Sequence, residues 1–186
     1  MTKLELEAIA ENCPSIRAIS PSTDLGMSAQ NGDRSISGVT VKGIWPDWHQ
    51  TAGRSVLLGR PFNAIDEENA RQICLLNEAA VEELRLDRDP TGSHILLDGR
   101  RFLVVGLVET VEQSIFGMNT SSAEIFIPFA MAAKLQSPQF FFIINVLIES
   151  PEVSEEAESE VRYTLRRLRG IGPDDPDTFI ALALKQ

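Results

Sequence analysis

The stretch 59–108 constrains the fold more than any other part of the chain. It opens with Gly59-Arg60-Pro61-Phe62 and passes through an apolar run with a helical pattern directly after it, 73–84. It then turns at Asp89-Pro90-Thr91-Gly92 and returns as two apolar runs separated by Asp98-Gly99. The run before Asn77 reads as a buried strand. Asn77 supplies a capping oxygen for the helix that follows, with Ala80, Val81 and Leu84 on one face. Asp-Pro-Thr-Gly is turn chemistry, and Asp98-Gly99 joins strands 93–97 and 100–108 as a tight hairpin. Strand, helix and antiparallel hairpin in that order point to a mixed fold, and nothing in the block is built for catalysis.

The flanks extend the same alternation. Thr2 and Glu5 form a capping box, and Leu4, Ala8 and Ile9 give a short helix one apolar side until Cys13-Pro14 ends it. Residues 16–20 read as a strand, and Asn31-Gly32 predicts a hairpin between strands near 26–30 and 35–44. Trp45-Pro46-Asp47-Trp48-His49 breaks the pattern and marks a boundary. From 109 to 122 the period is lost, which predicts a long flexible loop with an apolar tip at Ile115, Phe116 and Met118. A strand resumes over 125–127, a short helix over 129–135 and the longest apolar strand over 140–148. Residues 152–169 form the best helix, with Val153, Ala157, Val161, Leu165 and Leu168 on one face. Its acidic start and basic end complement the helix dipole. A strand at 178–184 closes the chain. About eight strands interleaved with four or five helices give the class α+β.

At 186 residues the chain has room for one domain or two small subdomains with a real core. Its apolar share of 43% and charged share of 24% are those of an ordinary globular protein. The net charge of −10 repels nucleic-acid phosphate and anionic headgroups, so no nucleic-acid partner is expected. No apolar run reaches the roughly 18 residues of a membrane helix, and the acidic N-terminus lacks the form of a signal peptide. The chain therefore reads either as a soluble protein without an export signal or as a piece cut from a larger membrane protein.

Chemistry is sparse. Cys13 and Cys74 sit among apolar neighbours, which favours inert core thiols; spacing alone does not decide whether they pair. His49 and His94 have no HxxxH, HxH or HExxH partner, so they read as surface or strand-edge residues and no metal site is expected. There is no GxSxG elbow and no phosphate-cradling glycine loop, so neither a catalytic site nor a cofactor is expected. The acidic runs at 66–68, 82–83 and 174–177 read as solvated faces or helix starts. Phe140-Phe141-Phe142 reads as a strand with at least one ring in the core. The tip residues Ile115, Phe116 and Met118 lie in a polar loop without periodic partners, and such residues mark contact surfaces.

Taken in order, these pieces resemble the MacB-like core domain found on the extracytoplasmic side of MacB- and FtsX-type ABC transporter permeases. The family's helix followed by P-x-V-x-x-V-S-P looks like Pro14-Ser15-Ile16-Arg17-Ala18-Ile19-Ser20-Pro21, and its V-x-G-V-x-P-D looks like Val41 through Asp47. Its G-R-x-F is similar to 59–62. Its V-L-N helix start, D-P-x-G turn and F-x-V-V-G-V strand are similar to 75–84, 89–92 and 102–107. Its I-F-(V/I)-P is similar to 125–128. Arg85 stands where the family usually has an aromatic, and Trp48 where Tyr or Phe is commoner.

The resemblance implies a porter-like βαβ-rich subdomain from 1–47 plus 122–186, with a smaller α/β subdomain, 48–121, inserted. It also implies a non-catalytic periplasmic domain of an inner-membrane permease. Its partners would be the permease's transmembrane helices, the cytoplasmic ATPase, a second permease copy and a periplasmic adaptor. Two rival readings follow from the residues alone. One is a free-standing extracytoplasmic binding or scaffold protein. The other is a small enzyme with a composite site, in which His49 or His94 is essential.

Overall fold

A computed structural model of the chain describes residues 3–110, 113–115, 118–120, 122–136 and 143–181. Its elements begin with α1 (Lys3–Asn12), β1 (Ile16–Asn31), β2 (Arg34–Ile44), α2 (Trp48–Ala52), β3 (Val56–Gly59) and α3 (Ala64–Glu68). Next come β4 (Ile73–Asn77), α4 (Glu78–Glu83), β5 (His94–Leu97), β6 (Arg100–Val108), β7 (Gln113–Ile115) and β8 (Met118–Thr120). β9 (Glu124–Pro128), α5 (Phe129–Leu135), β10 (Ile143–Ile148), a 3-10 turn (Pro151–Val153) and α6 (Ser154–Arg169) complete the order. The class is the α+β expected from the sequence.

The chain forms two compact units, Ser20–Ile144 and Met1–Ile19 with Asn145–Gln186. These limits differ from the cuts near 48 and 122 that the sequence suggests, and strand pairing is the reason. β2 runs parallel to β9, with Thr40 opposite Glu124 and Ile44 opposite Pro128. β9 in turn pairs antiparallel with β4. β2 and β9 both belong to the first of the expected subdomains, 1–47 plus 122–186, but β4 belongs to the other, 48–121, so the β9–β4 hydrogen bonds carry one sheet across those cuts.

In the larger unit the strand order is β1-β2-β9-β4-β6-β3, and β5 pairs with both β6 and the end of β1. β4 lies between β9 and β6 and is buried at all five positions, which is why it reads as a continuous apolar run. Alternation sends its side chains to two faces. Cys74 and Leu76 join Val41, Phe102, Ile125 and Ile127 under Ala80, Val81 and Leu84 of α4 and Met131 and Ala132 of α5. Ile73 and Leu75 join Ile44, Trp48, Phe62, Val108 and Phe126 on the other side. Each fully buried side chain of this size stabilises the fold by roughly 1.5–3 kcal/mol.

Local chemistry fixes the connections. Asp98 (φ 44°) and Gly99 (φ 77°) both take the left-handed conformation that a type I′ hairpin needs. In the first hairpin Asn31 pairs with Arg34, so the turn falls on Gly32-Asp33, one residue later than the sequence suggests. In 59–62, Gly59 has φ 73°, and a Cβ there would stand 2.1 Å from the Val105 carbonyl oxygen. Phe62 fills the second core. Arg60 reaches the fully buried carboxylate of Asp66 at 2.6 Å.

In the smaller unit α1 packs on α6. Glu5 accepts from Arg169 Nε at 2.8 Å, the Ser15 amide donates to Glu160 at 3.2 Å, and Cys13 Sγ lies 3.6 Å from Thr164 Oγ1. Arg162 and Arg166 both pair with Asp177. β10 neighbours β1, and just past it the Glu149 amide donates to the Ser15 carbonyl at 3.2 Å. α6 forms where the sequence places it, but its buried positions are Ser154, Ala157, Thr164 and Leu165, and Leu168 is exposed. β1, not β10, is the longest described strand, and Ile143, Val146 and Leu147 of β10 are exposed. Phe140-Phe141-Phe142 lies outside the described residues. So do residues 182–184 of the strand expected at 178–184, and residues 178–181 are not in a strand.

Candidate partner-contact site

Residues 113–115 and 118–120 pair as an arm with its own two-stranded sheet, where the sequence suggests a flexible loop. Gln113 stands opposite Thr120, Ser114 opposite Asn119 and Ile115 opposite Met118. Backbone pairing supplies the order that side-chain periodicity does not signal. Of the three tip residues named from the sequence, Ile115 and Met118 are brought together as a backbone pair of this small sheet. Phe116 lies outside the described residues.

The arm leaves the core sheet after β6 and re-enters it at β9, and β4 lies between those two strands. The groups that pin its two legs come from β4 and from the segment after α2. Asn77, fully buried at the end of β4, accepts from the Ala80 amide at 2.9 Å as the cap of α4. The same oxygen accepts from the Glu124 amide at 3.0 Å, and the side-chain amide donates to the Ser122 carbonyl at 2.7 Å. Next to it, the Glu78 amide donates to Thr110 Oγ1 at 3.2 Å.

Arg54 performs a matching task from the other side. Its Nε and Nη2 donate to the Glu109 carbonyl at 3.0 and 2.6 Å, and its Nη1 pairs with the Glu124 carboxylate at 2.8 Å. The guanidinium lies over the rings of Trp48 and Phe126, at 5.6 and 5.1 Å from their centroids. Only 8% of Arg54 is exposed, so its charge is neutralised and its donors are used inside the fold. The Glu109 amide also donates to the Ser55 carbonyl at 2.9 Å. Sequence reasoning misses both anchors, since their partners lie 45 to 70 residues away. The cap signature of Asn77 was the one visible trace.

The remaining sequence candidates fall elsewhere. His49 is half-buried against Trp48, with Nδ1 3.1 Å from the Arg54 carbonyl, and burial lowers its pKa. His94 is exposed on β5. Cys13 and Cys74 are free and buried, and burial pushes both thiols up, which suits inert core residues. Among the acidic runs, 66–68 falls at a helix start, the first turn of α3, and not on a solvated face. Asp66 is fully buried between Arg60 and Arg71, and Glu67 accepts from the Ala130 amide at 2.9 Å. Among the described residues no group of three or more His, Cys, Asp or Glu side chains could hold a metal, and no helix is long and apolar enough to cross a membrane.

Residues 1–163 match the family described as the MacB-like periplasmic core domain. A curated relative, the macrolide export ATP-binding/permease protein MacB of Aggregatibacter actinomycetemcomitans, is 23% identical over 156 residues, 83% of this chain and 24% of the relative. The chain thus spans about a quarter of that relative's length. The crystal structure of the periplasmic region of MacB from Actinobacillus actinomycetemcomitans superposes with a TM-score of 0.74 at 20% identity, over 90% of this chain and 73% of the other. The extracellular domain of the ABC-type transporter YknZ from Gram-positive bacteria gives the same TM-score at 17% identity, over 91% and 84% of the two chains.

Proposed function

The chain belongs to the MacB-like periplasmic core domain family, and from that premise we propose that it is a non-catalytic part of an ABC permease that passes ATP-driven movement to a substrate or an adaptor. Its place is the periplasmic side of the inner membrane. The observation that carries the proposal is the arm built on the end of a densely packed sheet. A lever needs a stiff body and a contact element fixed to it, and buried β4 with its two anchored legs has that form. The partners in this reading are the permease's transmembrane helices, its cytoplasmic ATPase, a second permease copy and a periplasmic adaptor. In this reading the movement serves efflux, lipoprotein release or mechanotransmission. Ile115, Phe116 and Met118 are the contact residues in this reading.

The coding sequence on either side of residues 1–186 tests the assignment first. A stretch of about 20 apolar residues on each side is expected. A start codon at Met1 together with a stop after Gln186 would overturn it. In the intact permease, Ile115→Asp with Met118→Asp is expected to abolish transport and leave the domain folded. Transport at the wild-type rate would remove the arm from the contact.

A further inference from the structure

We propose that Arg169 is a positioning residue that latches the first turn of α1 to residues 178–179, so that the start of α1 and the segment after α6 move as one piece. The latch belongs to a row of arginines. Arg162, Arg166 and Arg169 recur at i, i+4 and i+7 and share one face of α6. Gly170 ends the helix in the left-handed conformation at φ 62°, and the chain then folds back over that face. Arg166 sits inside the fold-back. It donates to the carbonyls of Gly172, Pro173 and Asp175 and pairs with the Asp177 carboxylate. Arg162 donates to the same carboxylate. These contacts fasten 172–177 to α6 as a strap.

Arg169 has a different task, because it reaches beyond the strap to α1. Its Nε donates to the Glu5 carboxylate at 2.8 Å, and its Nη1 donates to the carbonyl and the hydroxyl of Thr178 at 3.1 and 2.7 Å. The same guanidinium lies 5.5 Å from the centre of the Phe179 ring. One planar group thus holds both sides by direct contacts. Its donors stand at fixed angles, so a tilt toward one partner takes it from the other; a swivelling ammonium carries no such constraint. The Glu5 and Arg169 side chains are 11% and 24% exposed, so salt screens this pair less than a fully exposed one. A displacement of the first turn of α1 is therefore felt at Thr178 without passing along the chain between them. The use of that link in transmitting movement rests on the function proposed above. The latch itself belongs to the folded chain and is tested without a partner.

The test is backbone amide NMR relaxation on the 186-residue chain, comparing wild type with Arg169→Lys and Glu5→Ala. In both variants the order parameters at 178–179 are expected to fall from about 0.85, the rigid range, to below about 0.6, with 172–177 unchanged. Glu5→Ala gives the decisive reading, since the change is made on α1 and the loss is read after α6. Order retained at 178–179 in that variant would mean that the two sides are held independently. Equal loss along the whole of α6 would mean that Arg169 is a general pillar of the helix pair. Either result overturns the latch. If Arg169→Lys does not fold, Glu5→Ala decides alone, because alanine favours the helix and the arginine it abandons is partly exposed. Failure in this test leaves the permease assignment standing, and failure of the flanking-sequence test leaves the latch standing.

Discussion

Asp66 and Glu67 are neighbours on α3 whose pKa values are displaced in opposite directions. Burial pushes Asp66 up, but Arg60, the Asn63 amide and Arg71 outweigh it and hold the carboxyl below its ordinary value. Its stabilisation is present above the unfolded pKa and is lost as pH falls through the folded one. Removing one member of a buried ion pair costs about 3–5 kcal/mol. Asp66→Ala should fall near the lower end, because the arginines it abandons are 43% and 49% exposed and regain water. Chemical denaturation at neutral pH checks this.

Glu67 behaves oppositely: burial raises it to about 7, against the pull of the Ala130 and Phe129 amides. The fold therefore binds this proton more tightly than the unfolded chain does. Stability falls as pH rises from about 4.5 to about 7. Glu67→Gln should flatten the melting temperature across that window, and an unchanged slope in the variant would show that another group titrates.

Packing between elements turns on close approaches that only small residues permit. A Cβ at Gly43 on β2 would stand 2.4 Å from Ala132 Cβ on α5 and 3.0 Å from Thr23 Cγ2. Gly43→Ala is expected to push α5 away from the sheet and cost about 1–3 kcal/mol, read from the denaturation midpoint. Elements specified by local chemistry were legible in the sequence. α4 has its Asn77 cap, β5 and β6 have Asp98-Gly99, and α6 has a long periodic face with matched end charges.

β3 and α3 were not legible, for want of length: four and five residues carry no period, although Asn63 and Asp66 form a capping box whose spacing is visible in the chain. β7 and β8 hold together by backbone pairing over three residues each, which composition does not record. The exposure of β10 was missed for a different reason. An apolar strand reads as buried when the sequence does not say what flanks it. At the candidate site, Ile115 and Met118 were visible as apolar residues out of period. The Arg54 anchor was not, since the fold alone brings 54, 109 and 124 together.

For the molecule as a whole, a net charge of −10 opposes self-association. The chain by itself should sediment as a monomer at about micromolar concentration and moderate salt, and a stable dimer there would place a dimer contact within these residues and not in membrane segments. The two units also impose an order in time. α1 is synthesised long before α6, and Glu5 meets Arg169 across 164 residues of chain. The larger unit has all its strands once residue 144 has left the ribosome, yet Leu6 and Ile9 of α1, buried in the finished protein, still lack the helix they pack on. Closing so distant a contact is slow compared with forming a local one. The earliest helix of this stretch is thus among the last to settle, and until then its apolar side is open to any chaperone that holds unfinished chains.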